Sequence, residues 1–376
     1  MSVPADQSPA NAYPWYSPLF WHGMRMGEWW SLLASNNFAI GLGGIPPAIT
    51  ITGFSVYNSA MSLLQWMIHG GAIHATKVEK PPVFILGHWR SGTTFLHELL
   101  SLDDRFNSPN TYQCFVPTHF ILTESVMARL FWFMLPAHRP MDNVAAGLDR
   151  PQEDEFALCT LGIPSPMVNQ AFPNRPPRFL EYLDMEGLSE KELTEWKEGF
   201  RWFLQALTYH SPKTLMLKSP PHTGRIKVLK ELFPDARFIH ITRDPYSIVP
   251  STIRLWRTLN AVEALQTPTN EGIVDYVFDC YKRMYHGFEK NRDLVDPSRL
   301  IDIRYENLVQ DPIGKLEQLY QQLELGDFGE VRQKVEGFVG EKKDYKTNRH
   351  QLDPELKARI DTEWRDYQER YGYGAK

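Results

Sequence analysis

A chain of 376 residues with 43% apolar content can bury a sizeable core, as one large domain or as a domain with an appended segment. A net charge of −5 and a pI near 6.2 exclude the broad basic field of a nucleic-acid binder. The three cysteines, Cys114, Cys159 and Cys280, lie far apart without metal-ligand spacing, which excludes a disulfide framework and suits reduced thiols in a cytoplasm.

The N-terminus is polar, proline-broken and without a basic start, so it does not read as a signal peptide. From Asn36 to Ile68 no residue is charged. That run is long enough to cross a bilayer, but Pro46, Pro47 and four glycines make it a poor spanning helix. Five of the eleven tryptophans (Trp15, Trp21, Trp29, Trp30 and Trp66) precede residue 75. Residues 1–75 are therefore expected to form an apolar helical segment. Three readings stand for it: peripheral contact with a membrane interface, packing on the core, or a homodimer arm.

Val83 to Leu86 is an apolar run fit for a buried strand. Gly87 to Thr94 is a glycine-bounded turn, and Phe95 to Leu100 opens an amphipathic helix. Strand, glycine turn and helix N-terminus together make an anion site, because unpaired backbone N–H groups and the helix dipole converge there. The spacing from Gly87 to Gly92 matches the P-loop of nucleotide triphosphatases except at one position: Thr93 stands where their lysine would be, and a cation comes earlier, as Arg90. This exchange argues against ATP with magnesium and for another phosphate ester.

Further on, Val126 to Leu135 is a dense apolar stretch, either a core helix or the lining of an acceptor pocket. Glu153, Asp154 and Glu155 are consecutive carboxylates at the start of an apolar helix, where acidic residues also commonly complement the dipole. Strands are expected over Thr214 to Lys218, Arg237 to Thr242 and Leu300 to Arg304. Helices are expected over about Thr223 to Phe233, Pro245 to Arg257, Glu271 to Asp293 and Asn307 to Leu323. This alternation predicts an α/β fold of P-loop-like, three-layer form, with a central parallel sheet flanked by helices. At the exit of the third strand, Arg243 is followed eight residues later by Ser251, a pair able to clamp a second phosphate.

Taken together, GHWRSGTT and RDPYSIVPS resemble the two phosphate motifs of the sulfotransferases that use 3′-phosphoadenosine 5′-phosphosulfate (PAPS). LMLKSPPHTGRI is similar to the lysine-bearing strand of that family, and RPQEDEFAL resembles an acidic motif of its tyrosylprotein-type and bacterial branch. The likeness covers about residues 81 to 310, within a domain of residues 76–376. It implies that Arg90, Ser91, Gly92, Thr93 and Thr94 hold the 5′-phosphosulfate and that Arg243 and Ser251 hold the 3′-phosphate; the basic stretch EKKDYKTNRH either adds Lys342, Lys343 or Lys346 to the latter or is a solvated charged loop. Arg90 and Lys218 would face the charge that develops on transfer, with no metal. Glu153, Glu155 and His222 are the candidates for the base that deprotonates a hydroxyl acceptor, with mutual repulsion expected to raise at least one carboxyl. The acceptor leans toward a lipid-like or aromatic alcohol. A P-loop small-molecule kinase and a non-catalytic nucleotide-binding protein at the membrane are the rival readings.

Overall fold

The computed structural model describes residues 17–130, 146–341 and 352–374. After a 3-10 turn at Phe20–Gly23 come α1 (Met26–Ser35) and the long α2 (Ile45–Ala75). Then follow β1 (Val83–Leu86), α3 (Thr93–Leu100), β2 (Phe106–Asn107), α4 (Thr111–Phe115) and α5 (Phe120–Leu130). Next are α6 (Asp154–Thr160), α7 (Glu190–His210), β3 (Thr214–Lys218), α8 (Ile226–Leu232), β4 (Arg237–Thr242) and α9 (Pro245–Glu263). The remainder is α10 (Ile273–Asn291), β5 (Leu300–Arg304), α11 (Tyr305–Gln310), α12 (Pro312–Gln322), α13 (Gly329–Glu341), α14 (Pro354–Glu363) and α15 (Arg365–Tyr371).

The strands form one parallel sheet in the order β2-β3-β1-β4-β5. β1 is buried throughout, and its side chains alternate between two cores. Phe84 and Leu86 join a core built with Leu217, Leu204, Val249 and Tyr281, which also takes in Trp21, Trp29 and Ile51 from the N-terminal helices. Val83 and Ile85 join the other, with Leu96, Ile239, Leu316 and Val331. Burial on both faces is why central β1 reads as a continuous apolar run, whereas edge strand β5 alternates buried and exposed positions.

The sequence reading is met for the main strands and the helices between them, with four differences, one being that the helix expected over Asn307 to Leu323 breaks at Asp311 into α11 and α12. β2 was not expected: it is a two-residue edge strand, too short to carry a period. The helix expected over Thr223 to Phe233 divides into a 3-10 turn at Pro220–Thr223 and α8, since two prolines hold the chain in a tight turn first. α9 continues past Arg257 to Glu263. Part of the Val126 to Leu135 stretch lies outside the described residues, as do Lys342, Lys343 and Lys346.

The segment between Asn36 and Ile68 is mostly α2, and no described helix is long and apolar enough to cross a membrane. α2 is turned inside out. Its core-facing residues include Ser55, Asn58 and Gln65, while Ile49, Val56, Leu63, Trp66, Met67 and Ile68 are exposed. The buried amides are satisfied in part by the N-terminal turn and the α4–α5 loop. Asn58 Nδ2 donates to the carbonyls of His22 (2.7 Å) and Met24 (2.9 Å), and Gln65 Nε2 donates to that of Thr118 (2.9 Å).

Candidate active site

β3 and β4 flank β1 on opposite sides, so the crevice beyond their carboxyl ends is where an α/β sheet of this kind receives ligands. The loop Gly87 to Gly92 leaves β1 there. Gly87 (φ +144°) and Gly92 (φ +104°) adopt backbone conformations that side chains rarely reach. At Gly92 a Cβ would also fall 2.2 Å from the ring of Tyr305. Arg90 itself sits at φ +70°, a strained value for a non-glycine residue and one found preferentially at functional sites.

Two contacts hold Arg90 in place and join the two predicted phosphate motifs. Its Nε donates to Ser251 Oγ (2.9 Å), and its carbonyl accepts from Arg243 Nη1 (3.0 Å). The Arg243 guanidinium stacks over Tyr305, 4.3 Å from the ring centroid. The Tyr367 hydroxyl meets the Arg243 backbone, accepting from its N–H (3.0 Å). α3 begins at Gly92 and Thr93 with no side-chain cap on its first N–H groups, and buried Ser91 Oγ has no hydrogen-bond partner among the described residues. Unsatisfied donors around a helix N-terminus fit a phosphate group. The loop residues Arg90, Ser91, Gly92, Thr93 and Thr94 therefore lie together with Arg243 and Ser251, the set a nucleotide bearing two phosphate ends would need.

The acidic motif is gripped by the segment leaving β3. Lys218, level with Ile85 of β1 and almost fully buried, donates to Glu153 Oε1 (2.7 Å). Asp154 accepts from Ser219 Oγ (3.0 Å) and pairs with His222 Nε2 (2.6 Å). Glu155 is fully buried in a two-pronged pair with Arg225, one arm at 2.9 Å, and accepts from Ser165 Oγ (2.6 Å). The expected mutual repulsion does not arise, because each carboxylate faces its own partner. Burial pushes the Asp154 carboxyl up, but His222 and Ser219 outweigh it and hold it below the ordinary range.

Two histidines nearby are shifted down as well, but by burial itself. Burial carries His88 down to about 4, and burial with the Lys218 charge carries His97 down to about 3, so both are neutral near pH 7. Among the described residues no group of three or more His, Cys, Asp or Glu side chains is gathered as a metal site. Sequence reasoning missed Ser219 and Arg225, which lie inside the quoted LMLKSPPHTGRI but carry no local sign of their partners. It also missed Tyr305 and Tyr367, which reach the crevice from another strand end and from α15.

A sheet with two anion-clamping motifs and a lysine–glutamate pair at its carboxyl edge defines a nucleotide-dependent group transferase. The chain belongs to the sulfotransferase family, whose model matches residues 81–329. It is 45% identical over 359 residues to the omega-hydroxy-beta-dihydromenaquinone-9 sulfotransferases of Mycobacterium bovis and Mycobacterium tuberculosis, covering 96% of this chain and 92% of theirs. The fold is shared with sulfotransferase STF9 from Mycobacterium avium at a TM-score of 0.72 and 18% identity, over 92% of each chain. Sulfotransferase STF1 from Mycobacterium tuberculosis gives 0.60 at 18% identity, over 83% of this chain and 85% of that one. The protein is thus a PAPS-dependent sulfotransferase enzyme, and neither the kinase nor the non-catalytic reading is favoured.

Proposed function

We propose that this enzyme sulfates the hydroxyl of a lipid alcohol, an acceptor like the hydroxylated dihydromenaquinone named for its relatives. The observation that carries this reading is the 45% identity sustained over 96% of the chain, N-terminal helices included. PAPS supplies the sulfuryl group and a bisphosphate leaving group. Arg90, Ser91, Gly92, Thr93 and Thr94 hold its 5′ end, and Arg243 with Ser251 holds the 3′-phosphate. Lys218 and Arg90 face the negative charge that accumulates as the sulfur–oxygen bond to the donor breaks. Glu153 takes the proton of the acceptor hydroxyl as the new oxygen–sulfur bond forms.

Of the three candidate bases, Glu153 is favoured because Glu155 and His222 are sealed in pairs with Arg225 and Asp154. A base must reach an incoming hydroxyl, and only Glu153 of the three retains side-chain exposure, 14%. The outer face of α2 supports docking on a membrane, from which such an acceptor is drawn. Aliphatic side chains run down its centre from Ile45 to Met67, with Tyr57 and Trp66 on its shoulders, as in helices that lie in a bilayer interface. At protein–protein interfaces the aromatic anchors tend to cluster at the centre instead.

The test is a pair of titrations. Adenosine 3′,5′-bisphosphate should bind wild type without magnesium, and Arg243→Ala should weaken it about tenfold to a hundredfold, the range for a hydrogen bond to a charged group. Labelled sulfate should then pass from PAPS to a polyprenyl alcohol in vesicles in preference to a simple phenol. Preference for the phenol would overturn the lipid acceptor and leave the donor assignment standing.

A further inference from the structure

Arg243, assigned above to the 3′-phosphate, lies one residue past the ladder of β4, whose last pair is Thr242 with Arg304 of β5. A strand end released from its ladder needs other partners for its backbone groups. One hydroxyl supplies both for Arg243. Tyr367 Oη accepts from its N–H (3.0 Å) and donates to its C=O (3.1 Å), across 124 residues of chain. Tyr367 is 2% exposed, and its ring is held on three sides. It stacks on Tyr373, with the planes 8° apart, and meets Tyr285 and Trp364 edge-on at centroid distances of 4.9 and 5.3 Å. Packing of this kind fixes where the hydroxyl sits.

The rest of the turn leans on the same part of the chain. Asp244 N donates to Glu306 Oε1 (3.1 Å), and the Tyr373 hydroxyl donates to Glu306 Oε2 (2.8 Å). The Tyr246 hydroxyl donates to Asp361 of α14. Asp244 also caps α9, which carries Ser251, by accepting from Tyr246 N (2.9 Å). Arg243, Asp244 and Tyr246 are thus each tied, directly or through Glu306, to residues 361–373. Those residues lie beyond the span 81–329 that the family model matches. The side chain of Arg243 is fixed separately, by the Tyr305 ring and the Arg90 carbonyl. A backbone that wandered would carry the guanidinium away from both.

We infer that α14 and α15 are part of the donor site, with Tyr367 as the positioning residue that holds the Arg243 backbone for the 3′-phosphate. This role rests on the donor reading above, since without a 3′-phosphate on Arg243 there is nothing to position. Loss of the hydroxyl leaves the N–H and C=O of Arg243 unpaired, and apparent affinity falls with the fraction of molecules that keep the turn. The test compares, by calorimetry, adenosine 3′,5′-bisphosphate with adenosine 5′-monophosphate, which lacks only the 3′-phosphate. Wild type should prefer the bisphosphate, and Arg243→Ala should erase most of that preference. Tyr367→Phe keeps the ring and its packing; it should weaken the bisphosphate about tenfold and leave the monophosphate unchanged. Tyr371→Phe is the control on the same helix, because its hydroxyl pairs with Glu289 and Arg292 instead, and it should change neither affinity. Suppose Arg243→Ala loses the preference but Tyr367→Phe keeps it, or weakens both nucleotides alike, or is matched by Tyr371→Phe. Each of these results would overturn the role of Tyr367, the last two making its hydroxyl a merely structural bond, and would leave the donor reading standing. An unchanged preference in Arg243→Ala would overturn the donor reading and the role of Tyr367 together.

Discussion

The nucleotide crevice and the α2 layer solve opposite problems of polarity. At the strand ends, charged side chains are buried and each has a partner: Glu153 with Lys218, Asp154 with His222, Glu155 with Arg225. In α2 there is no charge from Ile45 to Ile68; Ser55, Asn58 and Gln65 point inward beside Ala48 and Ile51, and most of the larger apolar side chains point outward. Buried pairs of this kind are poor devices for stability alone, because desolvation offsets much of their attraction. An apolar strip about 35 Å long, at 1.5 Å per residue from Ile45 to Ile68, exceeds what a monomer ordinarily leaves in water. Each region departs from the ordinary rule of burial, one toward an anionic nucleotide and the other toward an apolar surface.

The comparison can be broken first within the acidic motif. Glu155→Ala strands the Arg225 guanidinium in the core and should cost about 3–5 kcal/mol of stability in denaturant unfolding. Glu153→Gln removes the charge opposite buried Lys218 but keeps an acceptor for it, so it should cost less stability than Glu155→Ala while kcat falls about 10²- to 10⁴-fold. If the two effects were exchanged, Glu153 would be the structural residue and the assignment of the base would be wrong.

A second test concerns the seam between the regions. Glu263, at the end of α9, accepts from Phe20 N (3.0 Å), and burial pushes its carboxyl up to about 7 despite that bond. Its unfolded value lies near 4.5, so the native state holds the extra proton between those pH values. Stability should therefore fall as pH rises from about 4.5 to about 7, by about 3 kcal/mol for this group. Glu263→Gln should remove that slope, and melting temperatures across pH 5–8 measure it. His88, His97 and His119, all depressed by burial, act in the opposite sense: their neutral forms stabilise the fold above pH 6.5, and that is lost as pH drops toward about 4.

On the α2 face, Ile49→Glu with Met67→Glu should lower partitioning onto phosphatidylcholine vesicles at least tenfold, since burying each apolar side chain contributes about 1.5–3 kcal/mol. The wild-type partitioning should change little with salt or with anionic lipid, because the strip is uncharged. A concentration-dependent dimer in sedimentation that the same variants abolish, without vesicle binding, would make the strip a subunit interface instead. The smallest effect is expected from Ser251→Ala, which removes a hydroxyl that accepts from the Arg90 guanidinium and should weaken bisphosphate binding about tenfold by calorimetry.

Much of the crevice was legible in the chain because its parts are local. A glycine-bounded turn after an apolar strand reads as an anion site from spacing, and it lends weight to an arginine with a serine two helical turns on, a pattern weak by itself. The partners of Glu155 and Asp154 were not legible, since Arg225 and His222 lie 70 and 68 residues away and nothing near them signals a carboxylate. The sequence therefore left Glu153 and Glu155 undivided as candidate bases, with His222 as a rival. The uncharged run from Asn36 to Ile68 was visible, but not its orientation: a helix of mixed small, polar and apolar residues has no strong stripe to say which side faces the core.

By itself, then, the sequence determined the α/β alternation and the glycine-bounded loop after β1, because strand period and glycine conformation act over a few residues; the reaction class came from the likeness of its motifs to a family. The tertiary structure decided which carboxylates are sealed in buried pairs and which face of α2 meets solvent. Those outcomes depend on contacts such as Arg225 on Glu155 and Asn58 on the His22 and Met24 carbonyls. Burial assigns polarity only once distant segments have come together.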